Sequence, residues 1–240
     1  MTDVRTLTGD DVAEDFGYRP APPGVRANMI FSADGAAGFQ GRAGPLSCPA
    51  DQQLLLALRA YADVVLVGAG TARAEHYGPV RLSAEHQLQR RGLGLTDAAP
   101  PIAVVSQSGA LPGTMFGSPT PPIVITSARG ASNLSSETRC QVIISGEDTV
   151  DVADAVSQLR GLGLHRVLCE GGPTLLDELV AANQVTELCV TMSPKLAGCQ
   201  LIGPRIPSGM SSPTHLRLDQ ILVGQQDYLY LRYTRKEPLH

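Results

Sequence analysis

Several features that would point to a specialised class of protein are missing from this 240-residue chain. The formal net charge is −4, whereas a protein that binds nucleic acid normally needs a basic surface. No apolar run approaches the roughly 18 residues that a membrane-spanning helix needs, and the polar, acidic N-terminus does not have the pattern of a signal peptide. We therefore expect a cytoplasmic protein that binds neither nucleic acid nor a membrane.

The cysteines and histidines do not have the spacing of a metal site. Five cysteines form an odd set, and no two of them are spaced as C-x-x-C. Structural zinc sites and disulfide frameworks usually contain such pairs. The five histidines show no ligand spacing either. The sequence therefore predicts no metal site and favours a cytosolic enzyme with buried thiols.

One stretch has the pattern of a ligand-binding strand end. A short apolar run ends at Glu170, two glycines follow, and Pro173 begins the apolar spacing of a helix. The first N–H groups of a helix have no partner within it, and they attract anions such as a diphosphate. Glycines before the helix let a phosphate approach the backbone closely. A tight turn without a ligand explains Gly-Gly-Pro alone equally well.

Elsewhere short apolar runs alternate with amphipathic stretches. We predict helices that begin at Pro49 and Pro173 and a third over 151–162, with strands at 25–32, 63–68, 101–105, 122–125, 141–144, 165–169, 187–193, 215–223 and 227–234. We predict surface loops at the glycine-rich residues 35–44, at 80–100 and at 197–214. Residues 1–24 form an extended arm before a single domain, 25–240. This order predicts an α/β fold with a mixed, mainly parallel sheet, helices on both faces and a C-terminal antiparallel hairpin.

Small and hydroxyl-bearing residues follow several predicted strands, at 68–75, 106–108 and 126–130. Ligands of open α/β sheets bind beyond the carboxyl ends of the strands. Hydroxyl groups together with Arg129 would suit a ribose 2′-phosphate, although ordinary turn chemistry explains each turn at least as well. The G-x-G-x-x-G fingerprint is absent. The residues alone therefore predict an α/β protein that binds a nucleotide-type ligand.

Three motifs in this order resemble a known enzyme family. They are N-M-I-F-S-A-D-G at 28–35, V-L-V-G-A-G-T at 65–71, and E-G-G-P-T-L-L-D-E-L at 170–179, the last followed by T-E-L-C-V-T-M-S-P-K-L-A-G. Together they resemble the pyrimidine reductase family of riboflavin biosynthesis, the reductase domain of the bacterial bifunctional deaminase-reductase. The resemblance covers about residues 25–235. It implies a three-layer, dihydrofolate-reductase-like fold and the NADPH-dependent reduction of 5-amino-6-(5-phosphoribosylamino)uracil to its ribitylamino product. The H-x-E and P-C-x-x-C signatures of the zinc deaminase are absent, so a stand-alone reductase is expected.

The resemblance also implies site residues and a homodimer formed through the sheet. The cofactor NADPH would contact Thr71, Glu75, Ser106, Gly171, Gly172, Pro173, Thr174, Leu175 and Leu176. The small-molecule substrate would contact Asn28, Ser32, Ser47, Arg59 and Arg81. Either Asp34 or Glu170 would assist the protonation that accompanies hydride transfer.

Three of the charged candidates also have an ordinary structural explanation. Arg59 would be solvated or paired with Asp51 or Asp63. Glu170 at the end of a buried strand needs a partner or a ligand. Asp34 would be an ordinary turn residue.

The segment after Thr71 departs from the family pattern. The family commonly has two aspartates followed by Pro-x-Leu-Thr-x-Arg, whereas this chain has E-H-Y-G-P-V-R at 75–81. The change leaves the substrate open. A dihydrofolate or pterin reductase on the same fold is one alternative, and a catalytically silent NADPH-binding protein is another.

Overall fold

The computed structural model describes residues 2–7, 23–96, 98–117, 120–134, 139–198 and 212–235. The strands are β1 (Asp3–Thr6), β2 (Gly24–Ser32), β3 (Val64–Gly68), β4 (Ile102–Val105), β5 (Ile123–Thr126), β6 (Gln141–Ile144), β7 (Arg166–Cys169), β8 (Val185–Ser193), β9 (Leu216–Val223) and β10 (Leu229–Arg235). The helices are α1 (Pro49–Ala60), α2 (Ala69–Ala74), α3 (Ala84–Gly92), α4 (Ala128–Ala131), α5 (Val152–Gly161) and α6 (Pro173–Ala181).

Within the described residues the strands form one sheet in the order β1-β9-β10-β8-β2-β7-β3-β4-β5-β6. Strands β2 to β8 run parallel to one another. Strand β10 is antiparallel to both β8 and β9. The predicted mixed, mainly parallel α/β sheet with its C-terminal hairpin is therefore confirmed.

Alternate residues of the buried strands serve two cores, one on each face of the sheet. Val65 and Val67 of β3 pack in the core that holds Leu54 and Leu58 of α1. Their neighbours in β3, Val64 and Leu66, lie in the second core with α5 and α6. Because side chains of a strand alternate between faces, a continuous apolar run such as 64–67 indicates a strand that is covered on both sides. The predicted three layers follow from this arrangement.

The prediction that residues 80–100 form only a surface loop is wrong, because α3 lies within them. The hydroxyl of Ser83 caps this helix by accepting a hydrogen bond from the His86 N–H at 3.1 Å. The buried guanidinium of Arg90 donates to the carbonyls of Ala60 and Ala62, at 2.9 and 2.6 Å. A buried arginine, rather than an apolar stripe, attaches α3 to the core, so hydrophobic periodicity could not detect it.

The predicted N-terminal arm contributes to the sheet. Residues 3–6 form β1, which pairs in parallel with β9 at the edge of the sheet. Residues 8–22 of the arm, and residues 199–211 of the predicted 197–214 loop, lie outside the described residues.

Candidate functional site

Two glycine turns meet where β3 and β7 end side by side. Gly68 precedes α2 and Gly172 precedes α6, and neither helix has a side-chain cap. The Gly68 N–H donates to the Gly171 carbonyl at 2.8 Å, which ties the turns together. Gly171 has φ +86, a left-handed conformation that favours glycine. The Gly-Gly turn is thus built for close contact between backbones.

Gly172 lies so close to Thr71 that a larger residue does not fit at this position. A Cβ built on Gly172 would collide with Oγ1 of Thr71. Pro173 occupies the first helical position, where its missing N–H costs nothing. The next N–H groups, of Thr174 and Leu175, are those that a helix start leaves without an intrahelical acceptor. An uncapped helix start beside a glycine fits the diphosphate of a dinucleotide.

A cavity of about 750 Å³ lies next to this turn. Its walls come from β2, the glycine-rich segment before α1, α1 itself, α2 and the turn before α6. The structure brings the following predicted site residues together on these walls: Asn28, Ser47, Arg59, Thr71, Glu75, Arg81, Glu170, Gly172 and Pro173.

Other predicted cofactor residues do not line this cavity. The side chain of Leu175 is buried in the core beneath α5 and α6, and Leu176 packs against the same core. Neither side chain is therefore placed to meet a ligand, and the Leu176 N–H donates to the Gly172 carbonyl at 3.0 Å. The hydroxyl of Ser106 donates to the Ala110 carbonyl at 3.0 Å, so it serves its own turn. Gly171 and Thr174 also lie outside the lining.

Asp34 and Ser32 hold a loop beside the cavity rather than line it. The buried Ser32 hydroxyl donates to Asp34 Oδ1 at 2.5 Å and accepts from the Ala36 N–H at 2.9 Å. The same Asp34 oxygen accepts from the Ala197 N–H at 3.1 Å. These hydrogen bonds, that from Ser32 first, lower the pKa of the Asp34 carboxyl. Asp34 therefore carries no proton to give at neutral pH, and its catalytic role stays a prediction.

Glu170 is anchored in the cavity wall by two cationic or polar partners. Arg59 donates two hydrogen bonds to the two carboxylate oxygens, both at 2.7 Å, and the Tyr77 hydroxyl donates a third at 2.6 Å. The guanidinium also lies 5.6 Å from the centre of the Tyr77 ring. Burial works to lower the pKa of Arg59, but the charge and hydrogen bonds of Glu170, together with Tyr77, outweigh burial and raise the pKa. Burial, reinforced by Glu170, raises the pKa of Tyr77.

This geometry decides between the explanations for Arg59. Arg59 pairs with neither Asp51 nor Asp63 but with Glu170, 111 residues away in sequence. Asp63 instead accepts from the Arg166 N–H at 2.7 Å. The pair of Arg59 and Glu170 joins two of the predicted site residues in one unit.

Asp51 is a site residue that the sequence reading missed. It lies in the first turn of α1 and lines the cavity. Its two oxygens accept from the Ser47 hydroxyl at 2.6 Å and the Thr191 hydroxyl at 2.7 Å. Burial raises the pKa of Asp51, although these hydrogen bonds oppose the shift. The only signal in the sequence is a carboxylate four residues after Ser47 at a helix start.

The end of the glycine-rich segment nearest α1 is held by three hydrogen bonds. Glu75 Oε1 accepts from the Ala43 N–H at 2.6 Å. The Lys195 ammonium donates to the Pro45 carbonyl at 2.8 Å, and the Tyr228 hydroxyl donates to the Leu46 carbonyl at 2.7 Å. Glu75, predicted to contact the cofactor, is thus used in part to hold one wall of the cavity.

Metal-ligating side chains and buried thiols are two further groups in the described part of the chain that could carry chemistry. No group of three or more metal-ligating side chains occurs there. The thiols of Cys169 and Cys189 are fully buried, and burial raises the pKa of each to about 12. No helix among the described residues has the length and apolar character needed to cross a membrane.

Comparison with known proteins agrees with this arrangement. Two curated relatives are named 2,5-diamino-6-ribosylamino-4(3H)-pyrimidinone 5′-phosphate reductase. The one from Archaeoglobus fulgidus is 26% identical over 219 residues, which cover 89% of this chain and 99% of the relative. The one from Methanothermobacter thermautotrophicus is 27% identical over 184 residues, which cover 73% and 80%.

A solved structure has the same fold over almost the whole chain. The pyrimidine reductase-like protein of Corynebacterium diphtheriae superposes with a TM-score of 0.81 and 27% identity, covering 96% of this chain and all of that one. The family model of the RibD C-terminal domain matches residues 23–230. The chain therefore belongs to the RibD C-terminal domain family.

Proposed function

We propose that the protein is an NADPH-dependent reductase of riboflavin biosynthesis. Its substrate is a 5-amino-6-ribosylaminopyrimidine 5′-phosphate, and its product is the ribitylamino compound. The observation that carries this proposal is that one cavity joins the Gly172 and Thr71 turn, suited to a dinucleotide, to a wall that holds Arg59, Glu170 and Asp51. The names of the relatives support the 2-amino-4-oxopyrimidine, whereas the uracil first expected has an oxygen at C2.

The reaction needs a hydride at C1′ of the ring-opened ribosyl imine and a proton at its nitrogen. The bound nicotinamide supplies the hydride. The chain would contribute position: the amides at the start of α6 would hold the diphosphate, and the walls of the cavity would hold the pyrimidine. Glu170 orients Arg59 through its two hydrogen bonds.

Asp51 is the carboxyl group best suited to supply the proton. Asp51 lies on the cavity wall and has a raised pKa, whereas Asp34 lies outside the lining and has a lowered pKa. Glu170 already accepts two hydrogen bonds from Arg59. A carboxyl group whose pKa is raised by burial keeps its proton to higher pH and can donate it in the transition state.

The choice of NADPH over NADH is supported by Arg129. Its side chain follows the end of β5 and is 78% exposed, and among the described residues it has only a long contact of 3.8 Å to the equally exposed Asp148. An exposed guanidinium beyond a strand end suits a ribose 2′-phosphate. Arg129→Gln should narrow the difference between the NADPH and NADH dissociation constants, measured by fluorescence titration. Equal loss of affinity for both would contradict this role.

A homodimer through the sheet is supported by an apolar face of its C-terminal strands. Residues directly opposite one another across β8, β10 and β9 share a face of the sheet. Three such rows are apolar: Met192, Leu229 and Val223; Val190, Leu231 and Ile221; Leu188, Tyr233 and Leu218. Leu229 is 38% exposed. Light scattering should give a mass twice that of the monomer. The Leu229→Arg variant should have the mass of a monomer.

A pterin or dihydrofolate reductase is the second candidate, and a specific observation favours it. An acid such as Asp51 would serve protonation of a pterin nitrogen as well as of an imine. The purified protein should therefore be assayed for NADPH oxidation with the diaminopyrimidinone phosphate, the corresponding uracil and dihydrofolate in parallel. We expect the first to give the highest kcat/KM. Oxidation with dihydrofolate alone would favour the second candidate, and NADPH binding without oxidation would indicate a silent protein.

A further inference from the structure

Lys195 follows the end of β8 and reaches across to the segment that precedes α1. Its ammonium nitrogen lies 2.8 Å from the Pro45 carbonyl oxygen, 3.5 Å from that of Leu46 and 3.3 Å from that of Ser47. An ammonium group has three N–H donors and no acceptor. One side chain can therefore hold three consecutive carbonyls of a segment that lies 148 to 150 positions earlier in the chain.

Tyr228, directly before β10, holds the same segment. Its hydroxyl donates to the Leu46 carbonyl at 2.7 Å, and the Lys195 ammonium lies 5.9 Å from the centre of its ring. A cation over an aromatic ring is attracted to it, so the tyrosine also holds the lysine. Tyr228 is buried, whereas Lys195 is an exposed residue. The lysine can therefore be replaced without disturbing the core.

The position of this segment decides which acceptor the Ser47 hydroxyl uses. The hydroxyl donates to Asp51 Oδ2 at 2.6 Å, and the Cys48 carbonyl is within reach at 3.3 Å. A hydroxyl group has one proton to donate. A small displacement of residue 47 would therefore move its hydrogen bond from the carboxyl group to the carbonyl. The contacts of Lys195 with residues 45–47 oppose that displacement.

We propose that Lys195 is a positioning residue, which holds the Ser47 hydroxyl on Asp51 and so fixes this carboxyl group in the orientation needed for proton transfer. The second hydrogen bond to Asp51, from the Thr191 hydroxyl at 2.7 Å, comes from β8 and does not depend on the segment before α1. Removal of Lys195 should therefore affect one of the two hydrogen bonds. The catalytic consequence rests on the proposed function, but the placement of Ser47 does not.

The surroundings of Asp51 determine what a test must separate. Burial raises its pKa, and the hydrogen bonds from Ser47 and Thr191 lower it. A nearby positive charge such as that of Lys195 also lowers the pKa of a carboxyl group, so an effect through Ser47 has to be distinguished from a direct effect of charge. The titratable groups on the neighbouring elements are Cys48 before α1, Arg59 in α1, Glu170 after β7, Lys195 after β8, and Tyr228 and Tyr230 at the start of β10.

The test follows the titration of Asp51 by NMR in the full-length protein, labelled with ¹³C at the aspartate carboxyl carbons. The signal of Asp51 is assigned by its absence in Asp51→Asn. We expect Lys195→Met to raise the pKa of Asp51, because the hydrogen bond that lowers this pKa is weakened. Ser47→Ala should raise the pKa at least as much. The double variant should have the same Asp51 pKa as Ser47→Ala alone, because Lys195 acts through Ser47.

Arg217→Met is the matched control for the loss of an exposed cation. Arg217 is 65% exposed, pairs with Asp219 at 2.9 Å and lies outside the cavity lining, so this variant should leave the pKa of Asp51 unchanged. Two results would overturn the proposal. One is an unchanged Asp51 pKa in Lys195→Met. The other is an equal rise on Lys195→Met with and without the Ser47 hydroxyl, which would indicate a direct effect of the lysine charge.

Kinetics with the diaminopyrimidinone phosphate connect this placement to turnover. Lys195→Met should lower kcat about tenfold, because the carboxyl group is no longer held in one orientation, with KM within about threefold of the wild type. The decrease of kcat with pH should move to higher pH. The expected NMR result with an unmoved pH profile would support the placement by Lys195 and remove Asp51 as the acid of the proposed function. If no pyrimidine is reduced at all, the proposed function fails, while the NMR titration still decides the role of Lys195.

Discussion

Two carboxylates, Glu170 and Asp51, lie on the walls of the same cavity in opposite electrostatic surroundings. Glu170 accepts two hydrogen bonds from a guanidinium and one from a phenol. Asp51 accepts only from the hydroxyls of Ser47 and Thr191, and burial raises its pKa. The difference teaches that position in a cavity does not fix the role of an acid. A charged partner fixes the position of a carboxylate, whereas burial without one raises its pKa and suits it to carry a proton.

The largest effect should come from breaking the charged unit. Glu170→Gln leaves the guanidinium of Arg59 buried without its counter-ion, a change that costs about 3 kcal/mol and lowers Tm by about 6–12 °C. The rate of substrate reduction should also fall, because Arg59 is no longer oriented by Glu170. Differential scanning calorimetry and steady-state kinetics measure the two effects.

The double variant Arg59→Met with Glu170→Met is the control for this prediction. Replacing both charges by apolar groups of similar size should recover most of the stability but not the activity. A Glu170→Gln protein as stable and active as the wild type would mean that the pair has no such role.

Asp51→Asn should separate catalysis from stability. The amide oxygen can still accept a hydrogen bond from one hydroxyl, but the side chain has no proton to donate, so kcat should fall about a hundredfold. The folded state raises the pKa of Asp51. The stability linked to its proton is therefore present at low pH and lost as pH rises through the folded pKa. At neutral pH Tm should stay equal or rise.

The pH profile distinguishes this role from simple binding. In the wild type kcat should fall as pH rises through the raised pKa of Asp51. In Asp51→Asn this decrease of kcat should be absent. A variant with normal kcat and an unchanged profile would remove Asp51 from the chemistry.

Gly172→Ala should weaken cofactor binding on the order of tenfold, since small displacements at a binding site have effects of this size. The added Cβ collides with Thr71 Oγ1, and Gly172 itself has φ −73, which alanine adopts freely. Combining it with Thr71→Ala removes the colliding atom and should restore part of the affinity relative to Thr71→Ala alone. Fluorescence titration with NADPH provides the measurement, and unchanged affinity in Gly172→Ala would argue against a diphosphate at this turn.

Asp34→Asn should have the smallest effect. Its carboxylate is held by Ser32 and Ala197 outside the cavity lining, so we expect kcat within about threefold of the wild type. A loss as large as that expected for Asp51→Asn would restore Asp34 as the catalytic acid.

The sequence predicted what depends on local pattern. The buried strand that ends at Glu170, the glycine turn and the helix after Pro173 all follow from apolar spacing and glycine or proline chemistry, and the structure has them at 166–169 and 173–181. The two cores follow from runs such as 64–67. Such features are encoded over a few adjacent residues.

What depends on distant neighbours could not be predicted in this way. The sequence offered two partners for Arg59, Asp51 and Asp63, but the packing of α1 against β7 selects Glu170 instead. Asp51 depends on Thr191, which is 140 residues away. Helix α3 depends on a single buried arginine, Arg90. None of these contacts leaves a periodic signal.

The most direct test of the central claim follows the hydride itself. The purified protein would be supplied with the diaminopyrimidinone phosphate and with NADPH deuterated at the transferable position of its nicotinamide, and the product would be examined by mass spectrometry and NMR. We predict one deuterium at C1′ of the ribityl chain. A ribityl product without deuterium, or no product while dihydrofolate is reduced, would contradict the proposed function.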